Sequence, residues 1–143
     1  MPTVTDTALA SALRITVARL NRRLRSQRTG HDLTLTQSSA LGALHRHGPL
    51  TLSELAAHEK VQPPSMTRVV NGLAERSLVT RTPHPTDGRQ ALLSVSEEGE
   101  ALIRADRRKK EAWLARRLAE LTPAERQILK QAAPILERLA GAE

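Results

Sequence analysis

The sequence predicts a mainly α-helical fold with one small β-hairpin, the arrangement of a winged helix-turn-helix plus a helical region formed by the N- and C-terminal helices. Three observations predict it. Apolar residues recur at three- and four-residue steps near both ends, two capped helical segments follow closely in the middle, and two β-rich runs then flank a Pro/Asp/Gly turn. A chain of 143 residues, 39% hydrophobic and 26% charged, suits a single domain, residues 1–143, whose core needs no disulfide or metal. With Trp113 the only large ring, that core must be Leu, Val, Ile and Ala.

Between Asp6 and Arg28, Leu9, Leu13, Val17, Leu20 and Leu24 trace one helical stripe. The segment Arg28, Thr29, Gly30, His31, Asp32 breaks it. Thr36 is expected to cap a second helix carrying Leu41 and Leu44, closed by Gly48 and Pro49. Thr51 and Glu54 form a capping box for a short third helix ending near Glu59. Pro63 and Pro64 suit the first turn of a fourth helix, about 63–76, because that turn leaves amide hydrogens unpaired in any case. Val79–Pro83 and Arg89–Val95 read as strands of a hairpin, about 79–95, around His84, Pro85, Thr86, Asp87 and Gly88. Ser96 caps a fifth helix with Glu97 and Glu98 at its positive end, running to about Glu120. Thr122 and Glu125 box a sixth, with Ile128, Leu129, Ala132, Ile135, Leu136 and Leu139 on one stripe and Pro134 expected to kink it.

Twenty-two Lys and Arg against 15 acids give a formal charge of +7, which favours a polyanionic partner. Charge alone leaves nucleic acid, an anionic membrane and a merely solvated surface open. Residues 60–90 hold five basic residues against two acidic ones, but residues 104–117 hold seven against two, and helix one adds six arginines against Asp6. The excess therefore extends beyond the central helices.

At about 100° per residue, Met66, Val69, Val70 and Leu73 share one side of helix four. Pro64, Arg68, Asn71 and Glu75 lie opposite, flanked by Ser65 and Thr67. Arg can grip guanine and Asn adenine with paired hydrogen bonds, so Arg68 and Asn71 are the candidates for base reading. Any solvated helix face is also polar; the order capped helix, second helix, hairpin is what favours the major groove. Asp87 lies two residues before Arg89, so in extended backbone the carboxylate can orient the guanidinium toward a minor groove, with an ordinary surface ion pair the alternative. Arg81, at the foot of the hairpin, is a candidate phosphate contact or a solvated cation.

The stretches LTLTQSSALGAL, LTLSELAAHEKVQPPSMTRVVNGLAERSLVTR, PTDGRQALLSVSEEG and LTPAE, in this order from Leu33 to Glu125, resemble the MarR family of bacterial regulators. The resemblance implies a homodimer, with residues 6–31 and 97–141 as its helical dimerisation region and residues 34–96 as its winged helix-turn-helix. It implies that Gln62, Pro63, Pro64, Ser65, Thr67 and Arg68 enter the major groove, and that Thr86, Asp87 and Arg89 belong to the wing. A small, anionic aromatic ligand that changes the spacing of the reading heads is a further family expectation, as is repression of transcription. The chain departs from the family pattern at His84, where an acidic residue is frequent, at Gly88, where a second arginine is frequent, and at Ser77, where glycine is usual. The wing is accordingly expected to carry less charge and bend more easily.

The apolar stripes of helices one and six exceed what one short chain can cover, which also points to pairing with a second copy. The expected partners are therefore double-stranded DNA and the chain itself, without a membrane. No Gly-rich phosphate loop, nucleophile motif or metal-ligand spacing appears, so no enzyme, cofactor or metal is expected. His45 and His47 diverge by about 200° on a helix, so they cannot chelate together. Zero cysteines exclude thiol redox sensing, and the start MPTVTDTALAS lacks signal-peptide character, so a cytoplasmic location is expected. The competing readings are a nonspecific, basic architectural (nucleoid-type) DNA-binding protein and a winged-helix module that docks protein.

Overall fold

The computed structural model describes residues 1–28 and 30–141; Thr29, within the expected break after helix one, lies outside the described residues. The elements run α1 (Val4–Arg25), α2 (Leu35–His47), α3 (Leu52–Glu59), α4 (Pro63–Glu75), β1 (Val79–Pro83), β2 (Ala91–Val95), α5 (Glu97–Ala119) and α6 (Pro123–Gly141). They divide into two compact units, residues 28–107 and residues 1–27 with 108–143.

In the unit 28–107, α2 is capped two residues earlier than the expected Thr36. Thr34 is the cap, because Gln37 stands three residues beyond it and returns the hydrogen bond: the Gln37 N–H donates to the Thr34 hydroxyl while the Thr34 N–H donates to the Gln37 side-chain oxygen. Thr36 has only Ser39 at that spacing. Thr51 and Glu54 box α3 as expected, and Pro63 and Pro64 open α4 without needing a side-chain cap. Both α3 and α4 end on a left-handed residue, Lys60 at φ 53° and Ser77 at φ 61°. The chain then turns back, with the Val61 N–H donating to the Ala56 carbonyl and the Leu78 N–H to the Leu73 carbonyl, each at 3.0 Å.

Leu44, Leu55, Met66, Val70 and Leu73 are fully buried, and Leu41, Leu50, Leu78, Val79 and Leu93 complete the same core. Each large apolar side chain so buried contributes about 1.5–3 kcal/mol. β1 and β2 pair antiparallel from Val79 opposite Val95 to Pro83 opposite Ala91. The second strand begins at Ala91 rather than Arg89, because the Asp87 carboxylate accepts the Arg89 N–H and the Asp87 carbonyl accepts the Gln90 N–H, folding residues 87–90 into the turn. Leu50, unassigned to a strand by sequence, adds a one-residue bridge by exchanging both backbone hydrogen bonds with Leu93.

The start of α5 packs closely on this unit. The Ser96 hydroxyl accepts the Gly99 N–H and donates to the Ser77 carbonyl, and a Cβ at position 99 would collide with the Leu78 carbonyl oxygen and with Val95. Further along α5, Glu100 pairs with His45 at 2.9 Å and Asp106 with His31 at 2.7 Å.

In the other unit, α1 spans Val4–Arg25 rather than the expected Asp6–Arg28. Thr3 and Asp6 form its starting box, and the Ser26 N–H closes its end on the Arg22 carbonyl. Thr122 and Glu125 box α6, which continues through Pro134. Neither α1 nor α6 contains a buried residue. Leu9 is 57% exposed, Ile128 63% and Leu139 62%, so their apolar stripes lie open in the single chain. Trp113 is buried, with the Arg23 and Arg117 guanidiniums 5.4 and 5.6 Å from its ring centroid. Among the described residues, no helix is long and apolar enough to cross a membrane.

Candidate nucleic-acid interface

The amphipathic pattern of α4 decides what it presents to solvent. Met66, Val70 and Leu73 are buried and Val69 is half-buried against the same core, so the helix cannot rotate without exposing them. The opposite face is exposed at Pro64, Ser65, Thr67, Arg68, Asn71 and Glu75, and Gln62 and Pro63 lie exposed at its start. Positively polarised N–H groups at a helix start attract phosphate. Here the first two helical residues are prolines and supply none, leaving Ser65 and Met66 as the nearest donors; the Met66 N–H is already bonded to the Gln62 carbonyl at 3.0 Å.

Arg68 stands exposed and makes no ion pair among the described residues. Asn71 is engaged: the Arg81 guanidinium of β1 donates to its Oδ1, tying the helix to the hairpin across ten residues of chain. The Thr67 hydroxyl donates to the Pro63 carbonyl at 3.0 Å. Thus, of the sequence-predicted base readers, Arg68 and Ser65 are uncommitted side chains, while Asn71 and Thr67 hold internal hydrogen bonds.

The hairpin tip presents Arg89, whose side chain is 95% exposed, with its Nε 3.5 Å from the Asp87 carboxylate. The pairing expected from extended backbone is thus reached through a turn. Asp87 also accepts the Arg89 N–H at 3.1 Å and the Gln90 side-chain amide at 3.1 Å. These donors, the Arg89 N–H first, hold its carboxyl below the usual carboxylate range. Thr86 is exposed beside it, and both the Thr86 and Asp87 N–H groups donate to Nδ1 of His84.

Between α4 and the hairpin lies a groove of about 380 Å³, with Leu52 and Val70 on its apolar side and Thr67, Asn71, Arg81 and Arg89 on its polar side. Its two arginines make it a place for an anion. At the end of α4, Arg76 pairs with Asp32, and this guanidinium holds the Asp32 carboxyl below the usual range. The remaining histidines His47 and His58 stack at 4.2 Å. Among the described residues no group of three or more His, Asp or Glu could hold a metal.

Sequence reasoning placed Arg68, Asn71, Ser65 and Thr67 on a solvent-facing side of α4, where the structure also has them, but missed three features around them: the Asn71–Arg81 bond, the role of Gln90 as a second donor to Asp87, and His84 as an acceptor for the turn. Only the last had a sequence signal, the substitution of a frequent acidic acceptor by histidine.

Comparison with known proteins gives a consistent result. Residues 33–91 match the model of the MarR family. An uncharacterized HTH-type transcriptional regulator of Mycobacterium bovis, Mb0904, is 49% identical over 131 residues, 92% of each chain. The HTH-type transcriptional repressor MdtR of Bacillus subtilis is 34% identical over 110 residues, 77% of this chain and 69% of its own. Among solved structures, a transcriptional regulator protein of Pseudomonas aeruginosa superposes with a TM-score of 0.88 at 37% identity, covering 99% of this chain and 100% of that one. A MarR family protein of Bacillus stearothermophilus superposes with a TM-score of 0.80 at 25% identity, covering 99% of each chain.

Proposed function

The chain belongs to the MarR family of DNA-binding transcriptional regulators, and from that premise we propose that it is a homodimeric repressor acting on a near-palindromic operator. The observation that carries this reading is the divided surface of α4, buried at Met66, Val70 and Leu73 and exposed at Ser65, Thr67, Arg68 and Asn71, directly beside a basic hairpin. In the proposal α4 lies in the major groove, led by Gln62, Pro63 and Pro64. Arg68 and Ser65 read base edges at once. Asn71 joins them when Arg81 leaves it for a phosphate, since a phosphate offers the guanidinium a full negative charge in place of a neutral amide oxygen, and the Thr67 hydroxyl, while donating to the Pro63 carbonyl, keeps its acceptor lone pairs for a base edge. Arg89, steadied by Asp87 beside Thr86, enters the minor groove.

The open apolar stripes of α1 and α6 support pairing with a second copy, which would set two reading heads on half-sites about 34–36 Å apart or a multiple of it. The name of the MdtR relative supports repression, and the protein would act in the cytoplasm where the DNA lies. The groove at Arg81 and Arg89 suits a small aromatic anion, which would relieve repression by occupying cations that the DNA-bound arrangement needs.

The test is fluorescence-anisotropy binding to the upstream intergenic DNA and to a scrambled duplex at about 150 mM salt. The expected preference is about a thousandfold. Arg68→Ala should cost about 1–3 kcal/mol and relax specificity, whereas Arg81→Ala should weaken all duplexes alike. Equal affinity for both duplexes, unaffected by Arg68→Ala, would replace this reading with a sequence-blind architectural protein held by the arginines of α1 and α5.

A further inference from the structure

We infer that His84 is the positioning residue of the wing, and that it works only as a neutral imidazole. The geometry is directional. The Asp87 N–H donates to Nδ1 of His84 at 3.0 Å and the Thr86 N–H to the same nitrogen at 3.2 Å. Backbone N–H groups can only donate, so Nδ1 must carry a lone pair and the ring proton must sit on Nε2. The ring thereby does for residues 84–87 what an Asx side chain does in a turn, gathering the N–H groups two and three residues ahead. It sets the orientation of Asp87, whose carboxylate in turn receives the Arg89 N–H, the Gln90 side chain and the Arg89 guanidinium. The chain of support runs from His84 through Asp87 to the exposed arginine at the tip.

Histidine differs from the acids and amides that usually fill such turns because it changes charge between pH 5 and 8. Protonation places a hydrogen on Nδ1, facing two N–H donors, and both bonds are lost. The charged and titratable groups around the ring are Asp87 on the wing, itself paired with Arg89, and Glu54 on α3, with His58 beside Glu54. A protonated ring has no acceptor left at Nδ1, so acidification removes the partner of both the Thr86 and Asp87 N–H groups and releases the turn. The consequence is a wing ordered on the alkaline side and loosened on the acid side. Its effect on DNA binding rests on the proposed role of Arg89, whereas the state of the ring does not.

The experiment therefore has two readouts on the full-length protein. Nitrogen-15 NMR of the His84 ring at about pH 8 should find the proton on Nε2, and the Thr86 and Asp87 amide signals should move together with the ring as it protonates. A ring proton on Nδ1 at that pH overturns the inference. Binding is then measured at about pH 8 and about pH 5.5 to a duplex that the wild-type protein selects from a random-sequence pool at the higher pH. Acidification charges the other histidines and strengthens attraction to DNA generally, so His84→Asn, which keeps an acceptor without titrating, is the reference.

At the higher pH, His84→Asn should bind within about a factor of two of wild type and His84→Ala about fivefold more weakly. On acidification the wild type should lose about fivefold relative to His84→Asn. Identical pH profiles for wild type and His84→Asn overturn the inference if Arg89→Ala itself weakens binding. If Arg89→Ala binds as wild type while the ring shows the Nε2 proton, the minor-groove reading of the wing fails and the positioning of Asp87 by His84 stands.

Discussion

The two units of this chain are built from the same kind of amphipathic helix and end in opposite states. Residues 28–107 close on themselves: the apolar sides of α2, α3 and α4 converge with Leu50, Leu78, Val79 and Leu93 on one buried cluster. In residues 1–27 and 108–143, α1 and α6 carry equally regular stripes but bury none of their residues, and the large side chains Leu9, Val17, Leu20, Ile128, Leu129, Ile135, Leu136 and Leu139 all stay exposed. Periodicity shows that a helix has an apolar face, and the contrast teaches that it does not show whether the same chain covers it. Short helices joined by tight turns can wrap around one point, whereas long helices have stripes that only something equally long can cover.

That contrast can be broken by substitution. Leu55→Ala, in the closed unit, should destabilise by about 2–5 kcal/mol in urea unfolding monitored by circular dichroism, because Leu55 is fully buried in the apolar cluster and its truncation leaves a cavity there. A loss below about 0.5 kcal/mol would mean the core is looser than its burial implies. Gly99→Ala should cost about 1–3 kcal/mol by forcing the start of α5 away from the Leu78 carbonyl. Ser77→Gly should act in the opposite direction, raising stability by about 1 kcal/mol, since Ser77 holds a left-handed φ of 61° that glycine adopts without Cβ strain.

The open unit should respond differently. Leu136→Lys should change the unfolding free energy of the dilute monomer by no more than about 0.5 kcal/mol, yet abolish concentration-dependent association in sedimentation velocity. A large loss of monomer stability would show that α6 is covered within the chain after all.

The smallest effect should be common to both units. Glu54 boxes α3 in one and Glu125 boxes α6 in the other, each held below the usual carboxylate range first by the backbone N–H of its capping threonine. A lowered pKa means the ionised form is the one the folded state prefers. The stability it contributes is present above the unfolded carboxylate pKa and is lost as pH falls through the lower folded value. Helical circular dichroism of wild type against Glu54→Gln and Glu125→Gln through that acid range should therefore converge, and curves that stay parallel would remove the carboxylates from the account.

Much of this protein was decided locally and could be read as such. The spacing of Met66, Val70 and Leu73 determined which side of α4 faces water, and hence that Arg68 is exposed. Reciprocal Thr–Glu boxes at Thr51 and Thr122 marked two helix starts, because cap and partner lie three residues apart and need nothing else. At α2 the threonine expected as the cap, Thr36, has no box partner and lies two residues late, and Thr34 and Gln37 form the reciprocal pair.

What only the tertiary structure decided depends on residues that the fold brings together. The Arg81 bond to Asn71 and the Leu50 bridge to Leu93 join elements whose approach is set by how α4 and the hairpin pack on the shared core. The turn at His84 is short in sequence but turns on direction: an imidazole can donate or accept at Nδ1, and only the folded backbone, aiming two N–H groups at it, selects the neutral acceptor. Sequence by itself determined the elements, their order and their outward faces, since these follow from chemistry within a few residues. The structure determined which polar side chains are already committed and which apolar faces remain open, because both are settled by distances in space that the spacing of residues along a chain does not contain.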